Sequence, residues 1–250
     1  MNPAEFFNLA AAEERMWWFR GMREIFRRIA MRHLPADIAD VLDAGCGTGA
    51  HAEWMARTFQ WRVRGLDFAQ EGLRLARRRN GLRGLVRGDI QALPFPDASF
   101  DLITCLDVFV HLDDGQERQA MRELARCLRP DGQLVLRAAA FRWLRSRHSQ
   151  FVGERQRFTL RKLSEAASQA GLQVQFATYA NCLLLPVAFL KFRVLEPLLQ
   201  APAESGVRLG PAWLERLLLD ALRLEAAWIG RGGRLPAGQS AILVARRPAG

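Results

Sequence analysis

The sequence predicts an α/β fold, a mostly parallel sheet with helices on both faces and a helical cap. Three observations predict it. Short apolar runs alternate with stretches of helical spacing from Ala39 to Arg137. A glycine cluster, Gly45-Cys46-Gly47-Thr48-Gly49, joins the first apolar run to a helical one. A strand-like Ala241–Ala245 returns after a long helical excursion, as the last strand of a hairpin would.

The elements follow in order. Phe6–Leu34 reads as one helix, with Phe19, Met22, Phe26 and Ile29 at helical spacing. Strands are expected at Ala39–Asp43, Arg62–Leu66, Gly84–Arg87, Phe100–Cys105, Gln133–Arg137, Gln173–Thr178 and Ala241–Ala245. Helices are expected at Glu53–Thr58, Ala69–Arg78, Gln116–Leu128 and Leu160–Ala170. Arg129-Pro130-Asp131-Gly132 reads as a turn. Leu183–Ile229 is mostly helical, and Gly230–Gly238 is a loop. The chain reads as one domain: 1–34 a lid helix, 35–180 the core, 181–229 a helical insertion and 230–250 the final strand. Lid and insertion are expected to cap the sheet's carboxyl edge, where ligands bind in open α/β sheets.

Composition narrows the partners. The net charge is +10, and all basic residues but Lys162 and Lys191 are arginine. Arginine suits planar anions, so the excess fits an anionic substrate, a membrane face, nucleic acid, or an arginine-biased composition alone. Nucleic acid is not expected, since no basic domain interleaved with aromatics is visible. Cys46, Cys105, Cys127 and Cys182 form no C-x-x-C pair, and the histidines are scattered, so no metal site is expected. No signal peptide is seen in the first residues. The longest apolar run, Cys182–Leu190, is too short to span a bilayer. A cytoplasmic protein is expected, with a peripheral contact to the inner membrane or a homodimer as the use of Leu183–Leu199.

The chemistry gathers at successive strand ends. Val41–Gly49 is a strand running into a glycine turn, where backbone freedom lets a ligand approach closely. Asp67 closes the second strand, placed to accept both hydroxyls of a ribose. Gly88-Asp89-Ile90 follows the third, where Asp89 can accept from an exocyclic amine while Ile90 packs on an adenine face. Each has a structural reading beside it: Asp67 as a helix cap, Asp89 as a local turn.

These segments resemble the class I methyltransferases of the small-molecule group. The likeness rests on Leu42–Gly49, Asp67, the run Gly88–Ile103 with its Leu93-Pro94-Phe95-Pro96-Asp97-Ala98-Ser99-Phe100-Asp101, and Leu128–Leu134. Glu14–Arg23, with Trp17-Trp18-Phe19, is similar to a helix of one bacterial subset, in which a histidine often stands where this chain has Met16. Tyr179-Ala180-Asn181, Pro186 and Leu235–Ser240 resemble the same subset, several of whose members look like tailoring enzymes for glycans, lipids or secondary metabolites.

The resemblance implies a Rossmann-like, seven-stranded, mostly parallel sheet and S-adenosyl-L-methionine as cofactor, leaving S-adenosyl-L-homocysteine. It implies that Asp43 and the loop amides of Gly45, Cys46 and Gly47 serve the methionine part. Asp67 would hold the ribose, Phe68 would lie beside the adenine, and Asp89 and Ile90 would read its edge. Leu106 would line the sulfonium end. Trp18 and Arg23 would close the lid, with Arg23 near the methionine carboxylate.

The acceptor side is less defined. His111, after the fourth strand, is a candidate base, against a capping or shelf role. Tyr179, the single tyrosine, and Asn181 are candidates to orient the acceptor, against a structural hydrogen bond. Of the two tryptophans, one is expected in the core and one in the site, with Trp17 a candidate substrate contact. Leu106-Asp107-Val108-Phe109 carries no Asn/Asp-Pro-Pro-aromatic run and no Pro-Cys pair, which argues against adenine amino and pyrimidine methylation. The expected reaction is in-line methyl transfer to a small molecule. The alternatives are a lipid-linked or glycan acceptor at a membrane, or a non-methyl reaction such as cyclisation of the cofactor.

Overall fold

The computed structural model describes residues 2–79, 82–199 and 202–249. Seven strands form one sheet: β1 Asp40–Ala44, β2 Arg62–Asp67, β3 Leu82–Arg87, β4 Phe100–Leu106, β5 Leu128–Ala139, β6 Gln173–Ala180 and β7 Ser240–Arg246. Their order is β3-β2-β1-β4-β5-β7-β6, parallel except for β7, which runs antiparallel to both β5 and β6. The strand order reverses between β1 and β4, the crevice where such sheets bind ligands.

Alternation along the strands buries both faces. Val41, Leu102 and Val135 face one side, while Leu42, Ile103 and Leu134 face the other. The first face is covered by helices α2 (Trp17–His33), α3 (Ala50–Phe59) and α10 (Ala212–Gly230). On α2, Met22, Ile25, Phe26 and Ile29 are buried, a stripe at helical spacing worth about 1.5–3 kcal/mol per side chain. The second face is covered by α5 (Gln116–Cys127) and α7 (Leu160–Gln169).

The expected single N-terminal helix is broken. Helix α1 (Pro3–Ala12) ends before Glu13 and α2 begins at Trp17. The break has a tertiary cause: Glu13 is turned onto Thr48 and Arg79, and the Trp17 amide donates to Glu215 at 2.7 Å. The lid and insertion also divide between two places. Helix α1 lies against the glycine turn and the residues after β2, since a Cβ on Gly47 would stand 3.8 Å from Phe6 and one on Gly72 would stand 2.8 Å from it. Helices α2 and α10 lie instead on the sheet face, because each carries a buried apolar stripe. A Cβ at Gly21 would stand 2.3 Å from Leu222, so a glycine is what lets them touch.

The rest of the insertion is less regular than expected. It contains α8 (Leu185–Phe189), a π-helical turn (Leu190–Leu195), α9 (Glu196–Leu199) and, from Pro202 to Pro211, a non-helical stretch. Short α6 (Arg147–Phe151) stands beside it and α4 (Gln70–Ala76) follows β2. The expected turn 129–132 is absorbed as an irregularity inside β5, with Asp131 at φ 63°.

Candidate functional site

The carboxyl ends of β1, β2 and β4 meet at the glycine turn. Gly45 has φ 88°, and a Cβ there would stand 2.1 Å from Val108 Cγ2, so no other residue fits. The turn's amides are not open to a ligand as expected. Gly45 and Cys46 both donate to the Leu66 carbonyl, at 2.6 and 2.9 Å, and Gly47 donates to Asp67 Oδ2 at 2.8 Å. The loop is therefore tied to β2 by its own N–H groups. The Cys46 thiol is buried and pushed up by burial.

Asp43, at the end of β1, is 3% exposed and accepts the Thr104 hydroxyl at 2.7 Å. Burial pushes its carboxyl up to about 6 against the lowering effect of that hydrogen bond. Among the described residues it has no ion-pair partner. Asp67 is also raised, mainly by burial, while its second oxygen accepts from the Ala69 amide at 2.8 Å. Phe68 beside it is 68% exposed, a free aromatic face at the strand end. Asp89 makes the local turn of its structural reading, accepting from the Gln91 amide at 2.9 Å. Ile90 is buried in the core on the α5 side.

Arg23 comes from α2 with its side chain 14% exposed and a single carboxylate, Glu14, as far as 3.9 Å. Burial lowers its pKa, the mark of an under-paired guanidinium. Trp17 and Trp18 both pack against the core of the α2 face. Trp18 also lies under the Arg137 guanidinium, 4.9 Å from the ring centroid. Leu106 is half-buried and lines a narrow crevice of about 10 Å³ with Met22, Phe26 and Arg137.

On the acceptor side, His111 Nδ1 stands 3.4 Å from the Gly153 carbonyl, and burial lowers its pKa. The Tyr179 hydroxyl accepts from the Leu160 amide at 3.2 Å, and its ring stacks on Phe141 with centroids 4.9 Å apart. That is the structural hydrogen bond weighed above, at the start of α7. Asn181 is 1% exposed; its amide donates to Glu225 at 2.6 Å, and its Oδ1 has no partner.

Two features were missed by sequence reasoning. Arg137, at the end of β5, donates to Asp107 Oδ2 at 3.0 and 2.6 Å. Its signal is a lone arginine inside the apolar run Leu134–Ala140. Asp107, Phe141 and Asn181, following β4, β5 and β6, all have positive φ, at 60°, 54° and 60°. Such strain in non-glycine residues gathers at functional sites. The second feature is a buried network. Glu13 binds Thr48 and Arg79, and Arg79 also reaches Glu14 at 2.8 Å and Glu53 at 3.0 Å, fastening the α1–α2 joint to the glycine turn. Its partners are too far apart in sequence to suggest each other.

Parts of the chain are similar to known proteins. Residues 42–136 match a family model described as a methyltransferase domain. The methyltransferase GfsG of Streptomyces halstedii is 35% identical over 144 residues, 54% of this chain and 47% of its own length. The fatty-acid O-methyltransferase of Mycolicibacterium smegmatis is 37% identical over 118 residues, 43% of this chain and 41% of its own. The chain thus spans less than half the length of these curated relatives. A chain of a Haloferax volcanii complex containing the Trm112 methyltransferase activator superimposes with a TM-score of 0.62 at 19% identity, covering 98% of this chain and 94% of that one.

Proposed function

We propose that this chain, a class I methyltransferase by its sheet order and by the domain matched over 42–136, transfers a methyl group from S-adenosyl-L-methionine to a small-molecule acceptor. The observation that carries the reading is Asp43, a buried carboxylate that burial raises to about 6, with no ion-pair partner among the described residues and with Arg137 acting on it only at longer range. A cationic ligand is what such a group lacks. Arg23 is its counterpart, a largely buried guanidinium whose one ion pair among the described residues, to Glu14, is long at 3.9 Å. Together they fit a zwitterionic amino-acid moiety with a sulfonium. Asp67 and the exposed Phe68 fit a ribose and a purine at the next strand end.

When bound, the cofactor would supply a methyl group already activated by its positive sulfur for transfer to an acceptor lone pair. The protein's work is to position and exclude water. Asp67 holds the ribose while its bond to Gly47 sets the loop. Leu106 and Trp18 wall the transfer site with apolar surface. His111, neutral at pH 7 because burial lowers its pKa, takes the acceptor's proton where the acceptor carries one. Tyr179 shapes the acceptor side through its stack with Phe141, and Asn181 Oδ1 offers a free acceptor atom there. Trp17 anchors the start of α2 beside the site, a candidate contact for the acceptor.

The names of the relatives, a fatty-acid O-methyltransferase among them, support a small acceptor with a nucleophilic oxygen. The reading places the protein in the reducing cell interior. Among the described residues no helix is long and apolar enough to cross a membrane. The test is incubation with methyl-labelled cofactor and a panel of fatty acids, quinols and phenols. Label in a product of the expected mass, absent with Asp67→Ala, supports the reading. Cleavage of the cofactor without transfer to any acceptor counts against it.

A further inference from the structure

The insertion between β6 and β7 leaves an unusual surface. Of the seventeen large apolar side chains exposed among the described residues, thirteen lie between Leu183 and Trp228. The concentration is greatest in α8, the π-helical turn and α9, where Ala188 is the only buried residue. Val187, Phe189, Leu190, Leu195, Leu198 and Leu199 are each 45–73% exposed. At about 100° per residue these positions are spread around the whole helix rather than along one stripe. Between Lys191, Arg193 and Glu196 the exposed surface of this segment is apolar, a mixture that suits a boundary between charged headgroups and acyl chains.

Charge identifies the medium. Between Leu183 and Arg231 the carboxylates are spent inward or on neighbours. Glu196, Glu215 and Glu225 accept from the backbone amides of Arg147, Trp17 and Asn181. Glu204 pairs with Arg208 and Asp220 with Arg223, each at 2.9 Å. Lys191, Arg193, Arg216 and Arg231 have no carboxylate partner among the described residues, and the whole chain carries +10. Four unpaired cations among exposed leucines complement an anionic surface with an apolar layer beneath it. At about 1.5 Å per residue the fifteen residues from Leu185 to Leu199 reach roughly 22 Å, short of the about 30 Å of a bilayer's hydrocarbon. A segment of that length is enough for one leaflet. Helix α10 presents a second stripe on the same insertion, Trp213, Leu217, Leu224 and Trp228, opposite its buried side.

We infer that residues 185–199 embed in the headgroup–acyl boundary of an anionic phospholipid monolayer, with Lys191 and Arg193 reaching up to the phosphates. Insertion is independent of methyl transfer, so it is measured without activity. The same segment ties to α6 through Arg147 and Glu196, and His148 of α6 accepts the Gly206 amide at 3.0 Å. Docking would therefore hold the acceptor side of the sheet edge toward the membrane.

The experiment is co-sedimentation of the full chain with vesicles of phosphatidylcholine alone or with phosphatidylglycerol. The variants are Leu198→Glu/Leu199→Glu and Lys191→Glu/Arg193→Glu, with far-UV circular dichroism to confirm folding and light scattering to follow oligomeric state. The expected result is binding to the anionic vesicles only, abolished by the leucine variant. At about fivefold per cation lost, and with two carboxylates added, the charge variant should bind at least about 25-fold more weakly. No binding by the wild type overturns the inference, as does binding by both variants that equals the wild type's. A dimer that the leucine variant dissolves, with no vesicle binding, also overturns it and assigns the surface to a second copy.

Discussion

Asp43→Asn should make the protein more stable at neutral pH while weakening its grip on the cofactor. In the folded chain the carboxyl titrates at about 6; in the unfolded chain it titrates near an ordinary aspartate, about 3.9. Between these values the native state holds more protons than the unfolded state, so rising pH destabilises the fold. The cost is absent well below pH 4 and complete above pH 6. At about 1.4 kcal/mol per pH unit it amounts to about 3 kcal/mol. Asparagine carries no charge to desolvate and keeps an oxygen for the Thr104 hydroxyl, which now donates to Asp43 at 2.7 Å. Urea unfolding at pH 4.5 and 7.5, extrapolated to water, measures the difference. The variant's advantage should be about 3 kcal/mol at pH 7.5 and about 1 kcal/mol at pH 4.5. A difference that does not change with pH, or a less stable variant at pH 7.5, refutes the idea of a buried carboxylate waiting for a cation.

Arg23→Leu should raise the Kd for the cofactor about 10- to 100-fold, the loss of one charge-assisted contact, and leave the thermal midpoint nearly unchanged. Gly45→Ala should abolish cofactor binding, because its Cβ would stand 2.1 Å from Val108 at a φ of 88°; titration and thermal denaturation check it. Arg79→Leu strands the buried Glu13 and should cost about 3–5 kcal/mol by urea unfolding. With a protonated acceptor, kcat should rise with pH through a value below 6.5 as His111 loses its proton, and His111→Gln should remove that limb.

The strands and their carboxylates were legible because alternation and glycine spacing are local signals. Asp43, Asp67 and Asp89 fell at the ends of β1, β2 and just past β3, and β7 came back antiparallel beside β5. What was not legible depended on distant partners. The helix broke at Glu13 because Thr48 and Arg79 draw that residue away, and nothing within 6–34 signals them. The loop amides turned to Leu66 and Asp67 because β2 lies alongside, a fact of register rather than of the motif. Helix α10 joined the sheet face because Gly21 lets Leu222 approach, a contact between residues two hundred positions apart. Arg137 reads as a strand residue until Asp107 and Trp18 are seen around it.

The most direct test of the central claim is isothermal titration of the purified protein with S-adenosyl-L-methionine and S-adenosyl-L-homocysteine, beside Asp67→Ala. The account predicts binding of both ligands by the wild type and at least about 100-fold weaker binding by the folded variant, since two hydroxyl bonds to a carboxylate are lost. Binding of neither ligand, or equal binding by the variant, would contradict it.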